Sequence, residues 1–200
     1  MEQRTEEWYE ARLGKITASR FIDVLTMGRK GVEWGKTAMG YAYEIVAEIM
    51  TGVKKPNIKA NALEWGTEVE PLAREAYEQE TFVKVKDEGF VEYNNHIGCS
   101  PDGLVGADGG LEIKCPYTSV RHLSTILSRK VPDEYIPQVQ GSMLVTGRKW
   151  WDYESFDPRF KKNKTIIIRV ERDQVYIDTL EERLEKFWKI IQGLVERSNA

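Results

Sequence analysis

The sequence has 200 residues, 41% of them hydrophobic and 30% charged, with a net charge of −3. This suits a globular chain with one substantial core, and excludes a membrane-spanning protein because no apolar run approaches a bilayer's width. The balance leaves no overall basic footprint for nucleic acid, and two cysteines, Cys99 and Cys115, are too few for a disulfide framework or a four-cysteine metal site. They read as buried, reduced thiols.

Glu2, Glu6 and Glu7 stand where a secretory signal would be basic and then apolar, so a cytoplasmic protein is expected. Helical spacing of apolar residues marks Glu6 to Leu13, Ala18 to Leu25 and Thr37 to Met50. In the third, Met39, Tyr43, Val46 and Met50 share a face and Gly52 sits at a C-cap. A Gly-rich basic loop, Met27 to Gly35, separates the second from the third. Another helix is predicted from Leu63 to about Glu80, with Pro71 either opening a new helix or kinking this one.

The period then changes. Phe82, Val83 and Val85, then Phe90, Val91 and Tyr93, read as a strand pair around Asp87 to Gly89. Strands follow at Ile97 to Cys99, Gly103 to Val105 and Leu111 to Cys115, with a turn at Ala107 to Gly110 between the last two. Helical spacing returns at Val120 to Leu127 and Tyr135 to Val145. Strands at Lys149 to Phe156 and Thr165 to Glu171 precede a final helix from about Gln174 to Val195. The predicted fold is α/β, a central mixed β-sheet flanked by helices. It forms one domain over residues 1–200, with a helical part at about 1–80 packed on a sheet core at about 81–200.

Chemistry concentrates in Ser100-Pro101-Asp102-Gly103 and Glu112-Ile113-Lys114. On a strand Glu112 and Lys114 project from one face while Ile113 points into the core. If the Ala107 to Gly110 turn closes a hairpin, Asp102 comes alongside Glu112, giving two oxygen ligands for a hard divalent cation, with the Ile113 carbonyl as a third. Such a site suits phosphodiester hydrolysis: the cation offsets phosphate charge and lowers the pKa of bound water, and Lys114 positions or deprotonates that water. Asp-Gly alone is an ordinary turn signal and Glu-x-Lys an ordinary pair of solvated charges, but here the charges interrupt an apolar strand.

Any DNA contact must come from local basic clusters. Arg12, Lys15, Arg20, Arg29, Lys30, Lys36, Lys54, Lys55 and Lys59 supply candidates, although such residues also serve as a solvated face. By residue type alone Arg12 is equally a helix-surface charge, Ser19 an N-cap, Gln138 a helix-face amide and Leu63 plain core. His96 and His122 carry no spacing motif.

The Pro-Asp and Glu-x-Lys words match the signature of the restriction-endonuclease-like superfamily. With Arg12-Leu13-Gly14-Lys15-Ile16-Thr17-Ala18-Ser19, Ala62-Leu63-Glu64-Trp65-Gly66 ending at Glu70, Leu111 to Pro116, and Gln138-Val139-Gln140, the chain resembles the phage lambda exonuclease and YqaJ-like viral recombinase family from Trp8 to about Pro158. The resemblance implies a nuclease core and a magnesium-dependent 5′-to-3′ exonuclease that digests one strand of double-stranded DNA processively to mononucleotides and leaves a 3′ overhang. It further implies two Mg2+ ions, with Mn2+ able to substitute, a homotrimer ring that offsets the weak net charge, and a single-strand annealing protein as recombination partner. Position by position, Asp102 and Glu112 resemble metal ligands, Lys114 the water-orienting lysine and Glu70 a further acid near the metals. Arg12, Ser19, Ser100 and Gln138 resemble the group that holds the terminal 5′-phosphate, Arg29 a DNA contact and Leu63 a strand-separating wedge. Asn61 departs from the family, which has a lysine there. The competing readings are an endonuclease or junction resolvase on the same scaffold, an inactive DNA-end-binding module, and an interaction protein with a fortuitous motif.

Overall fold

The computed structural model describes residues 1–29, 32–54 and 61–200. The helices are α1 (Glu6–Arg12), α2 (Phe21–Leu25), α3 (Lys36–Thr51), α4 (Asn61–Thr81), α5 (Ser119–Ser128), α6 (Ile136–Thr146) and α7 (Gln174–Ser198). The strands are β1 (Ile16–Thr17), β2 (Val85–Lys86), β3 (Val91–Asn94), β4 (Ile97–Cys99), β5 (Gly103–Val105), β6 (Gly109–Lys114), β7 (Trp150–Phe156) and β8 (Thr165–Glu171).

The strands form two sheets rather than one. A five-stranded sheet runs β2-β5-β6-β7-β8, and a three-stranded sheet runs β1-β4-β3. Only β6 with β7 and β1 with β4 pair in parallel, so the α/β arrangement is mixed as expected. The Phe82 to Tyr93 segment does not pair with itself: β2 joins β5 and β3 joins β4. Its alternation marked strands correctly, but β2 finds its partner in β5, beyond the reach of local turn chemistry, and β3 turns at Asn95-His96 onto β4.

Each face of β6 and β7 has its own cover. Leu111, Ile113 and Phe156 pack with Val69, Ala73 and Tyr77 of α4. Trp151 of β7, which points to the opposite face, lies in the larger core with Val139 and Met143 of α6, Ile45 of α3, and Ile177, Leu180 and Leu184 of α7. Emptying the Trp151 site would cost about 3–5 kcal/mol. The approach of β6 to β7 requires glycine at Gly110, where an added Cβ would lie 2.2 Å from the Trp151 ring.

Gly52 caps α3 in the left-handed region at φ 66°. The buried side of α3 is Ala38, Tyr41, Ala42, Ile45 and Val46, whereas Tyr43 and Met50 are exposed. The face expected from Met39, Tyr43, Val46 and Met50 is therefore rotated, because small alanines carry the close contact with the core. Pro71 lies inside one continuous helix and does not open a new one. Cys99 and Cys115 are free thiols, both pushed up to about 12 mainly by burial. His122 is buried between the Ser155 hydroxyl and the Asn163 carbonyl, while His96 stacks on Trp188.

Candidate active site

The β5–β6 hairpin delivers the acids. Gly103 pairs with Leu111, so Asp102, one residue earlier, reaches the level of Glu112. Asp102 Oδ2 accepts a hydrogen bond from the Ile113 amide at 2.6 Å, and Arg74 of α4 donates to the Asp102 carbonyl. Glu112 is 1% exposed. Its Oε1 accepts from Lys114, two residues along the same strand face, and from Gln138 Nε2 of α6 at 2.6 Å. Among the described residues its buried Oε2 has no hydrogen-bond partner. The Lys114 ammonium sits 5.1 Å from the ring centre of Tyr135, which stacks on Tyr153.

Burial and then the charge of Glu112 raise the Asp102 carboxyl well above its ordinary range, with Lys114 opposing. Burial likewise raises Glu112. Burial alone would lower Lys114, but the charges of Glu112 and Asp102 outweigh it and raise the ammonium above the lysine range. Two acids thus share one lysine, and the dicarboxylate remains short of positive charge. In these surroundings Lys114 is a charged donor.

Glu70 projects from α4 and pairs with Arg4 at 2.7 Å, and its charge is felt by both Asp102 and Glu112. Arg12, at the end of α1, donates to the Ser100 hydroxyl at 2.6 Å. The Trp8 indole donates to the same oxygen at 2.9 Å and lies under the Arg12 guanidinium, 4.2 Å from it. Ser100 stands two residues before Asp102, so this cluster is tied directly to the acid. Arg12, Ser19, Leu63 and Lys54 share the wall of a cavity of about 750 Å³. Gln138, grouped in sequence with the phosphate holders, is bonded here to Glu112. Arg29 and Asn61 are exposed, on the loop after α2 and at the first residue of α4. Lys30, Lys55 and Lys59 fall outside the described residues.

Trp8, Tyr135, Arg74 and Arg4 were missed in the sequence. Trp8 had a usable signal, since it lies four residues before Arg12 on one helix face. The other three had none, because tertiary packing alone brings them to the site.

The fold is a mixed α/β nuclease fold, with Asp102 just before β5 and Glu112 on the adjacent strand β6. The YqaJ-like viral recombinase domain matches over residues 7–149. The alkaline exonuclease LHK-Exo of Laribacter hongkongensis is 38% identical, aligns over 98% of this chain and 96% of its own, and superposes with a TM-score of 0.89. That enzyme has also been solved in complex with dAMP. A phage related exonuclease from Haemophilus somnus 129PT shares the fold at 15% identity, with a TM-score of 0.70 over 92% of this chain and 96% of that one. ExoD of Escherichia coli K12 is 32% identical over 57 residues, which span 28% of this chain and 66% of that protein. The chain belongs to the YqaJ-like viral recombinase family.

Proposed function

We propose that the protein is a deoxyribonuclease that digests one strand of duplex DNA processively from its 5′ end, releasing mononucleotides and leaving a 3′ overhang. The observation that carries this reading is the convergence of Asp102, Glu112 and Lys114 around the central strand β6, with Ser100 linking Asp102 to Arg12. The likeness to an alkaline exonuclease supports the activity, and dAMP is chemically the kind of product such digestion would release.

Magnesium, as two ions with manganese able to substitute, is the proposed cofactor, held by Asp102, Glu112 and the Ile113 carbonyl. The fit rests on Glu112 Oε2, a buried oxygen without a partner in a cluster short of positive charge. Among the described residues no three His, Cys, Asp or Glu side chains gather as a ready cage, and such a sparse set suits an ion that keeps most of its waters. When bound, the metal supplies charge neutralisation at the phosphate and a more acidic water.

The protein's own groups then have separate tasks. Lys114 orients the attacking water and offers hydrogen bonds to the phosphate oxygens. Gln138 holds Glu112 in one rotamer. Arg12, Ser19 and Ser100 hold the terminal 5′-phosphate, because a guanidinium fork and hydroxyls suit a dianion. Leu63 is 54% exposed on the cavity rim, where an apolar side chain serves as the wedge between strands, and Arg29 contacts the backbone. Attack by water breaks the P–O3′ bond of the terminal nucleotide, and the new 5′-phosphate stays on the shortened strand. Each turnover therefore regenerates the ligand of the Arg12–Ser100 group, which favours processivity. A trimeric ring and a single-strand annealing partner complete the proposal.

Linear duplex labelled at either the 5′ or the 3′ end and incubated with magnesium tests the reading. Mononucleotides should appear from the 5′ end alone, and a covalently closed duplex should remain intact. Cutting of the closed circle would favour an endonuclease or junction resolvase instead. Binding to ends without hydrolysis would mark an inert end-binding module.

A further inference from the structure

Residues 2–5 lie against the mouth of the site. Gln3 Nε2 donates to the Glu88 carbonyl at 2.9 Å and to the Pro101 carbonyl at 2.7 Å, the latter immediately before Asp102. Thr5 caps α1 by accepting from the Trp8 amide. Between these two anchors Arg4 adopts φ 70°, the left-handed region in which a Cβ is disfavoured and glycine is the natural occupant. This conformation turns the arginine side chain toward Glu70.

The pair with Glu70 is a weak reason to keep an arginine there. The two side chains are 48% and 28% exposed, and exposed ion pairs contribute little to stability. Among the described residues only Nη2 of the guanidinium is engaged, leaving the rest of its donor fork available. Arg4 also lines the 750 Å³ cavity with Arg12 and Lys54. Five cationic side chains line that cavity against two carboxylates. Both carboxylates are already committed: Glu48 accepts from the Gly14 amide and Glu44 from Arg20. Burial and the nearby Arg12 charge lower the Lys54 ammonium, with the Glu48 charge opposing them.

We propose that Arg4 is a further substrate-binding residue, whose guanidinium holds a backbone phosphate of the DNA strand lying between the Arg12–Lys54 cavity and the Asp102–Glu112 acids. The inference rests on the nuclease reading for the identity of the strand. It goes beyond that reading in assigning a strained, locally unfavourable arginine to the phosphate track.

The test compares the full chain with Arg4→Gly and Arg4→Lys. Affinity for a blunt linear duplex is measured by fluorescence anisotropy in EDTA across a salt series, and digestion is measured separately with magnesium. Arg4→Gly should fold with an unchanged or higher Tm, since glycine tolerates φ 70°. Its DNA affinity should fall about 10-fold and the slope of log affinity against log salt should shrink by about 0.9, the loss of one phosphate contact. Arg4→Lys should recover most of the affinity as a point charge. Wild-type affinity and salt slope in Arg4→Gly would overturn the inference, as would a fall in affinity that tracks a lowered Tm. Absence of duplex binding by the wild-type chain would overturn it too. An Arg4-dependent affinity in a chain that releases no nucleotide would instead overturn the nuclease reading and leave the phosphate contact standing.

Discussion

Gln138 and Lys114 converge on the same carboxylate oxygen, Oε1 of Glu112, the glutamine from α6 at 2.6 Å and the lysine from the same strand as its partner. A ligand carboxylate held this way is fixed in orientation by its neighbours, and loss of such support typically costs about 10–100-fold in metal affinity or activity. Gln138→Ala should therefore slow digestion by that amount and raise the magnesium concentration for half-maximal rate. The loss should be equal on 5′-phosphorylated and dephosphorylated ends. A loss confined to phosphorylated ends would return Gln138 to the phosphate-holding group with which its sequence position associates it.

Lys114 is the cation whose charge most strongly opposes the upward shifts of Asp102 and Glu112. Its replacement by alanine should remove the orientation of the attacking water while leaving the DNA-binding cavity intact. Hydrolysis should fall about 10²–10⁴-fold, the usual share of a positioned proton-transfer group. Duplex affinity in calcium should stay close to wild type, because calcium's looser coordination supports binding and orients water poorly. Single-turnover rates together with anisotropy titrations separate the two quantities, and near-normal turnover in the variant would take lysine out of the chemistry.

Arg12 and Ser100 form the link between the cavity and Asp102, with the Trp8 indole as their support. If Arg12 holds the 5′-phosphate as proposed, Arg12→Ala should lose a charged hydrogen bond worth about 1.5–3 kcal/mol, or roughly 10–150-fold in initiation rate. Trp8→Phe keeps an aromatic ring under the guanidinium and loses only the neutral N–H bond, so roughly a few-fold slowing is expected. Both effects should vanish on substrates with a 5′-hydroxyl. Equal slowing on both kinds of end would assign these residues to general folding of the site.

The hairpin that builds the centre was legible because every signal for it is local. The Ala107 to Gly110 turn sets the register, and strand alternation alone puts Glu112 and Lys114 on one face. The same logic misjudged Phe82 to Tyr93: β2 pairs with β5 some twenty residues on, which no local signal encodes, and β3 closes a hairpin with β4 across Asn95-His96 instead of folding back on β2. Two residues of β1 are too short to show a period at all. On α3 the large side chains suggested one face and the alanines decided another. Gln138 was singled out in the sequence for the 5′-phosphate, whereas its bond to Glu112 depends on how α6 lies across the sheet, and no spacing in the sequence encodes that. Arg4 is invisible without its backbone angle.

Glu154 stands opposite Ile113 on β7, fully buried, with neither carboxylate oxygen hydrogen-bonded. Burial, reinforced by the charges of Glu80 and Asp102, pushes it up to about 9. In the unfolded chain a glutamate ionises near pH 4.3. Between these values the unfolded state sheds a proton that the folded state keeps, so the folded state loses stability as pH rises from about 4.3 to about 9 and no further change follows above that. Glu154→Gln is neutral in both states and removes this dependence. At pH 8 in EDTA it should be more stable than wild type by on the order of 5 kcal/mol, or roughly 10–20 °C in Tm for a chain of this size. Below about pH 4 the two melting temperatures should draw together, because the glutamate is then mostly protonated in either state. Thermal melts at several pH values read the difference directly, and curves that stay parallel from pH 5 to pH 8 would mean that Glu154 is ionised and accommodated in the folded protein.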